Sequence, residues 1–234
     1  MYLKISTKER PTVNKTEIVR NYIVAIEADT PIFIETIKNL VGDSASPILS
    51  KLEKAGEIAR YDRGIYYKSE PTIWGPSVLG SDDVIWRMYM QDEDGNIKGY
   101  VTGASLFNRV HLSTMVPRMT EIFSNAHTSK NKIEKYGYII KRPKLPITTE
   151  NYMYQQIVDI IENKGDDHID AYNPAKRIRE FFNDCELNFE ILHRVAAERK
   201  MNSENLKRMS DCILGTQEVK FYSRFLKRKV RKRK

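Results

Sequence analysis

Residues 44–68, SASPILSKLEKAGEIARYDRGIYYK, constrain this chain of 234 residues more than any other stretch. Ser46 is placed to cap a helix, and Pro47 then takes the first helical position, where a missing N–H costs nothing. Ile48, Leu49, Leu52 and Ala55 follow at helical spacing and predict the buried stripe. Ser46, Pro47, Ser50, Lys51 and Lys54 fall on the other face, which is small, polar and basic. Gly56 stops the helix at the position where a left-handed residue is favoured. Residues 58–61 then read as a strand, Asp62, Arg63 and Gly64 as a tight turn, and 65–68 as the return strand. This order matches the recognition helix and β-wing of a winged helix-turn-helix, the half that docks DNA. The plainer alternative is a helix and hairpin in an unrelated α+β core with one solvated face.

Two upstream helices favour the DNA-binding reading. One is expected over about 15–27, with Ile18, Val19, Tyr22, Ile23 and Ile26 on one side. The other is expected over about 31–41, with Ile34, Ile37, Leu40 and Val41 apolar and Gly42 ending it. Three helices and a hairpin in about 60 residues make a compact module for double-stranded DNA. Its expected contacts are Ser46, Ser50, Lys51 and Lys54 from the helix, with Arg60 and Arg63 from the wing. Tyr61, Tyr66 and Tyr67 flank that wing. Aromatics among cations can stack on bases, but strand alternation expects Tyr66 or Tyr67 beneath the sheet.

The charge is unevenly spread. Net charge is +8, yet 224–234, RFLKRKVRKRK, hold eight cations and no anion, so the remainder is neutral. The tail reads either as a sequence-independent polyanion anchor or as a solubilising, cationic finish to a last helix. No apolar run reaches the roughly 18 residues of a membrane span, so no membrane partner is expected. MYLKISTKER lacks the apolar stretch of a signal peptide. Cys185 and Cys212 lack CxxC spacing and suit reduced thiols in the cytoplasm.

The fold class expected is α+β in three regions. They are a winged module at 1–70, a mixed α/β middle at 71–146, and a helical region with a basic tail at 147–234. Residues 70–76, with two Pro and one Gly, read as a linker, and 142–146 as a second Pro-rich boundary. Between them a helix is expected over 81–90, a short helix over 104–110, and strands over 119–124 and 138–141. Later helices are expected from Thr149 to 161, from Asn173 to 182, over 188–200, over 203–214, and from 216 into the tail.

The run GYVTGASLFNRVHLSTMVPRMTEIFSN at 99–125 carries a family resemblance. Its Gly-Tyr-hydrophobic-Thr-Gly, short helix, Leu-Ser-Thr-x-Val-Pro and strand ending in Asn resemble the AbiEi-type antitoxins. The join GIYYKSEPTIWGP at 64–76 is similar to that family's wing-to-linker sequence. The resemblance covers roughly residues 15–160 and fades beyond. It implies the antitoxin half of an abortive-infection, type IV toxin–antitoxin system. Its winged helix would bind promoter repeats and repress the operon. Its C-terminal part would neutralise a nucleotidyltransferase-like toxin. Relatives without a toxin partner leave a second reading, a winged-helix regulator or plasmid-maintenance protein. Neither reading fixes an oligomeric state.

Catalytic and cofactor patterns are sparse. There is no GxGxxG, Walker A or EF-hand motif, and no cofactor is expected. His111, His127, His168 and His193 lack partners at metal-ligand spacing, so no metal site is expected. Ser105 and Ser113 near His111 lack a nucleophile elbow. Asp184 with Glu198, Arg199 and Lys200 has the composition of a metal-dependent nuclease site, the basis of a third reading as a nucleic-acid-cleaving enzyme. Helical spacing at Phe189, Leu192, Val195 and Ala196 instead predicts a solvated charged helix end and a chain that is not an enzyme.

Overall fold

The computed structural model describes residues 14–163, 169–172, 174–183 and 187–213. The fold is mixed α+β and divides into two compact units, 1–84 and 85–234.

In the first unit, helix α1 (Lys15–Ala25) starts at Asn14, whose side chain accepts the Thr16 N–H at 3.1 Å. Val19 and Ile23 are buried, with Ile18, Tyr22 and Ile26 packed beside them, as the spacing predicts. The second helix begins later than expected. Ile32 and Phe33 form strand β1 (Ile32–Phe33), and α2 (Ile34–Val41) follows directly. These two residues pair antiparallel with Tyr66 and Ile65, so ladder hydrogen bonding overrides helical periodicity. Leu40 is also not core; it is exposed, and Ile37 and Val41 fill the interior.

Helix α3 (Ala45–Lys54) corrects the expected capping. A 3-10 turn over Gly42–Ser44 leads in, so Ser44 flanks the helix and Ser46 lies inside its first turn. Ala45 is fully buried, which draws the helix start back from Pro47 to Ala45. Pro47 becomes the third helical residue, still in the turn whose N–H groups lack helical partners. Ile48, Leu49 and Leu52 are buried as predicted, but Ala55 is exposed and serves as the C-cap. Gly56 follows at φ +74°, where its N–H donates to Glu53 O and the Glu57 N–H donates to Leu52 O, both at 3.0 Å. This double closure needs a left-handed residue at position 56.

Strands β2 (Ala59–Asp62) and β3 (Ile65–Tyr67) complete a sheet of order β1-β3-β2. The register pairs Arg60 with Tyr66 and Asp62 with Ile65, with an irregularity at Tyr61. Gly64 turns at φ +76°, and a Cβ there would meet Ile34 Cγ2 at 3.0 Å. Tyr66 and Tyr67 are both buried. The segment expected as a linker is a small hairpin of β4 (Pro71–Thr72) and β5 (Gly75–Pro76).

Helix α4 (Ser81–Ile85) spans the division between units and continues as a π-helical turn, Trp86–Met90. The second unit holds β6 (Gly99–Thr102), α5 (Gly103–Arg109), β7 (Thr120–Ser124), β8 (Ile133–Lys135) and β9 (Tyr138–Lys141). The sheet order is β6-β7-β9-β8, with β7 and β9 parallel and the other pairs antiparallel. Strand β8 has no apolar run to announce it in the sequence. Gly99 is required by proximity, since a Cβ would lie 2.1 Å from Tyr89 O. Helices α6 (Tyr152–Glu162), α7 (Pro174–Asn183), α8 (Phe189–Glu198) and α9 (Ser203–Ile213) follow. They contribute Ile157, Ile178, Leu192 and Met209 to the same core as Val101, Ile122 and Ile140 of the sheet. Helix α6 starts later than the Thr149 expected to cap it. Asn151 flanks it, while Thr149 Oγ1 accepts the Ile97 N–H at 3.0 Å.

Candidate nucleic-acid interface

Core packing of Ala45, Ile48, Leu49 and Leu52 fixes which face of α3 reaches solvent. Ser46, Pro47, Lys51 and Lys54 are exposed on it, and Ser50 is half-buried. Ser46, Ser50 and Lys54 are four residues apart and form one ridge, with Pro47 and Lys51 alongside. Small side chains at the N-terminal end let backbone approach a groove closely, and cations toward the C-terminal end can reach phosphates. Lys15 Nζ fixes the turn leading into this helix by donating to Val41 O at 3.0 Å and Ser44 Oγ at 3.1 Å. No local pattern signals this role, because Lys15 and Ser44 are 29 positions apart.

Arg60 and Arg63 are both exposed on the β2–β3 hairpin. Arg60 Nε donates to Asp62 O at 3.3 Å. Asp62 Oδ1 accepts the Arg63 N–H at 2.7 Å, which shapes the turn. Glu57, just after α3, is engaged by Arg20 in a two-point contact, Nε to Oε2 at 2.9 Å and NH2 to Oε1 at 2.6 Å. The Arg20 hydrogen bond holds the Glu57 carboxyl below its usual range. The six expected contact residues thus belong to one compact unit, four on α3 and two on the hairpin.

The other candidate chemistry sits in the second unit. Arg199 is not part of a solvated helix end: its side chain is 1 % exposed. One of its guanidinium nitrogens donates to Asp159 Oδ1 and to Glu162 Oε2, each at 2.6 Å. Thr102 Oγ1 donates to Asp159 Oδ2 at 2.8 Å, and Lys144 Nζ to Glu162 at 2.9 Å. Burial pushes the Asp159 carboxyl up. Burial also works against the Arg199 charge, but the adjoining Asp159 more than offsets it and holds the guanidinium above its usual range. The ion pair therefore organises a core, tying α6, β6 and the end of α8 together. Sequence reasoning missed it because Arg199 and Asp159 are 40 positions apart.

His111 is exposed with φ +57°, and His127 is buried with Nε2 2.7 Å from Asn131 O. His111 and Ser113 line a cavity of about 400 Å³ with Thr114 and Asp170. Thr114 donates to Asp170 through its hydroxyl at 2.5 Å and its N–H at 3.0 Å, holding that carboxyl below its usual range. Ser105 is buried inside α5. Among the described residues no cluster of three His, Cys, Asp or Glu could hold a metal, and no helix is long and apolar enough to cross a membrane. His168, Asp184, Cys185 and the basic tail lie outside the described residues. No family model matches this chain, and no curated protein matches it.

Proposed function

We propose that this protein is a winged helix-turn-helix regulator that reads double-stranded DNA, and that it is the autorepressing antitoxin of a toxin–antitoxin operon. The observation that carries the DNA reading is the solvent face of α3. Ser46, Ser50, Lys51 and Lys54 line it while the opposite face is sealed into an apolar core. Arg60 and Arg63 are exposed on the hairpin of the same unit. In this reading the helix enters the major groove and the hairpin cations contact phosphate or minor groove. The antitoxin half is supported by the motif at 99–125 and its resemblance to AbiEi-type proteins. The nucleotidyltransferase-like toxin and the cytoplasmic setting come with that half.

Two measurements on the full chain test the two halves. Binding to its own promoter should exceed binding to scrambled DNA by at least about 1,000-fold at fixed salt. Equal affinity for both would end the regulator reading. Co-expression with the adjacent gene product should restore growth that this product arrests when expressed alone. Specific DNA binding without rescue would leave a regulator and remove the antitoxin.

A further inference from the structure

The 70–77 hairpin presents its most apolar residues to water. Ile73 is 90 % and Trp74 92 % exposed at its tip, and Val78 beyond it is 77 % exposed. A loose linker would need no scaffold, yet this one is built. Thr72 Oγ1 donates to Gly75 O at 2.5 Å and accepts the Trp74 N–H at 3.2 Å. Ser77 closes the base, its N–H donating to Glu70 O at 2.8 Å. Its hydroxyl accepts the Glu70 N–H at 2.8 Å and donates to Asp29 Oδ1 at 2.7 Å. Leu79 is buried just beyond. The base is thereby tied to Asp29 and the turn is braced by Thr72, so the tip is presented in a preset conformation, which lowers the ordering cost of binding.

We infer that the Ile73–Trp74 tip is a protein-docking knob that enters an apolar pocket with a basic rim on a different protein. This does not rest on the DNA reading. Residues 71–81 carry no charge, so the tip offers nothing to pair with phosphate. The first charges on either side are Glu70, Asp82 and Asp83, all exposed acids. They disfavour a polyanion and complement a basic rim. The hairpin is rooted where β3 ends at Tyr67, paired with Ala59, at the end of the sheet opposite the Arg63–Gly64 turn. A second copy of this chain fits poorly. Ile73, Trp74 and Val78 offer about 400–500 Å² of apolar surface, short of the roughly 800 Å² each side of a stable pair. A two-fold contact would also set acids against acids. A Trp with an aliphatic neighbour entering a pocket is instead the pattern of an interface hot spot.

The test places a photo-crosslinking amino acid at position 74 of the full chain, in cells of the organism that encodes it. The expected result is an adduct with a distinct protein, identified by mass spectrometry and then purified. Its affinity for the full chain should fall at least about 30-fold on Trp74→Ala. It should recover with Trp74→Phe, and fall several-fold with Glu70→Lys and Asp83→Lys combined. Because Trp74 is almost wholly exposed, Trp74→Ala should leave the circular dichroism spectrum unchanged. A captured protein that binds wild type and Trp74→Ala equally overturns the inference. So do adducts found only with DNA, only with a second copy or only within the same chain, and so does the absence of any adduct.

Discussion

The two units place their charged residues in opposite ways. In the first, the core of Val19, Ile23, Ile32, Ile37, Leu49 and Leu52 is apolar, and the cations of α3 and its hairpin face solvent. In the second, Arg199 and Asp159 are inside, joined to Thr102, and Lys144 reaches Glu162 at the edge of the same network. A charge at the surface is available to a partner, whereas a buried pair is committed to its own fold. Replacing a surface charge should therefore change binding and leave stability alone; replacing a buried one should do the reverse.

The largest effect is expected at Arg199. Arg199→Leu leaves Asp159 buried without its cation and should destabilise the second unit by about 3–5 kcal/mol. Thermal or urea unfolding reads this, and promoter affinity at low temperature should be unchanged. The double variant Arg199→Leu with Asp159→Leu should regain much of the loss, because an apolar pair carries no stranded charge. A single variant as stable as wild type would mean the pair organises nothing.

Next comes Ser50→Ala with Lys51→Ala on the surface of α3. Each lost base contact should cost about 1–3 kcal/mol of specific affinity, scored by competition between promoter and random DNA. The melting temperature should hold. Loss of stability without loss of specificity would reverse the contrast between the units.

A smaller effect is expected at Gly64, where the left-handed backbone and nearby Ile34 both resist a side chain. Gly64→Ala should destabilise the first unit by about 1–2 kcal/mol, measured by denaturant titration. The smallest is Arg63→Ala, which should lower the salt dependence of DNA binding by about one unit for all sequences alike. An unchanged slope in a salt titration removes Arg63 from the phosphate contacts.

The contrast also explains what could be read from the sequence. The first unit is built from local periodicity, so Ile18 through Ile26, Ile48, Leu49 and Leu52, and the turn at Gly64, were legible at close to their observed positions. Errors there came from tertiary competition. Ile32 and Phe33 left a helix for a strand pairing, and burial of Ala45 moved a helix start past Ser46. In the second unit the helices were legible but the polar core was not. Glu198, Arg199 and Lys200 look like a solvated helix end until Asp159 is brought beside the middle one. Spacing along the chain carries no record of a contact 40 residues away. The exposed Trp74 was hidden for a related reason, since a Pro- and Gly-rich segment reads as a linker whether or not serine and threonine side chains brace it.

The division at residue 84 has a consequence for how the protein is made. Contacts of the first unit close within the first 84 residues, so it can fold while the rest is still on the ribosome. The second cannot do so, because Ile85 shares a core with Met201 and Met209 near the far end of the described chain. Its core stays incomplete until α8 and α9, which carry Leu192, Val195 and Met209, are synthesised. At roughly 5–20 residues per second, the first unit therefore precedes the second by several seconds. During synthesis, each chain passes through an interval in which its α3 face is already assembled on an otherwise unfinished protein.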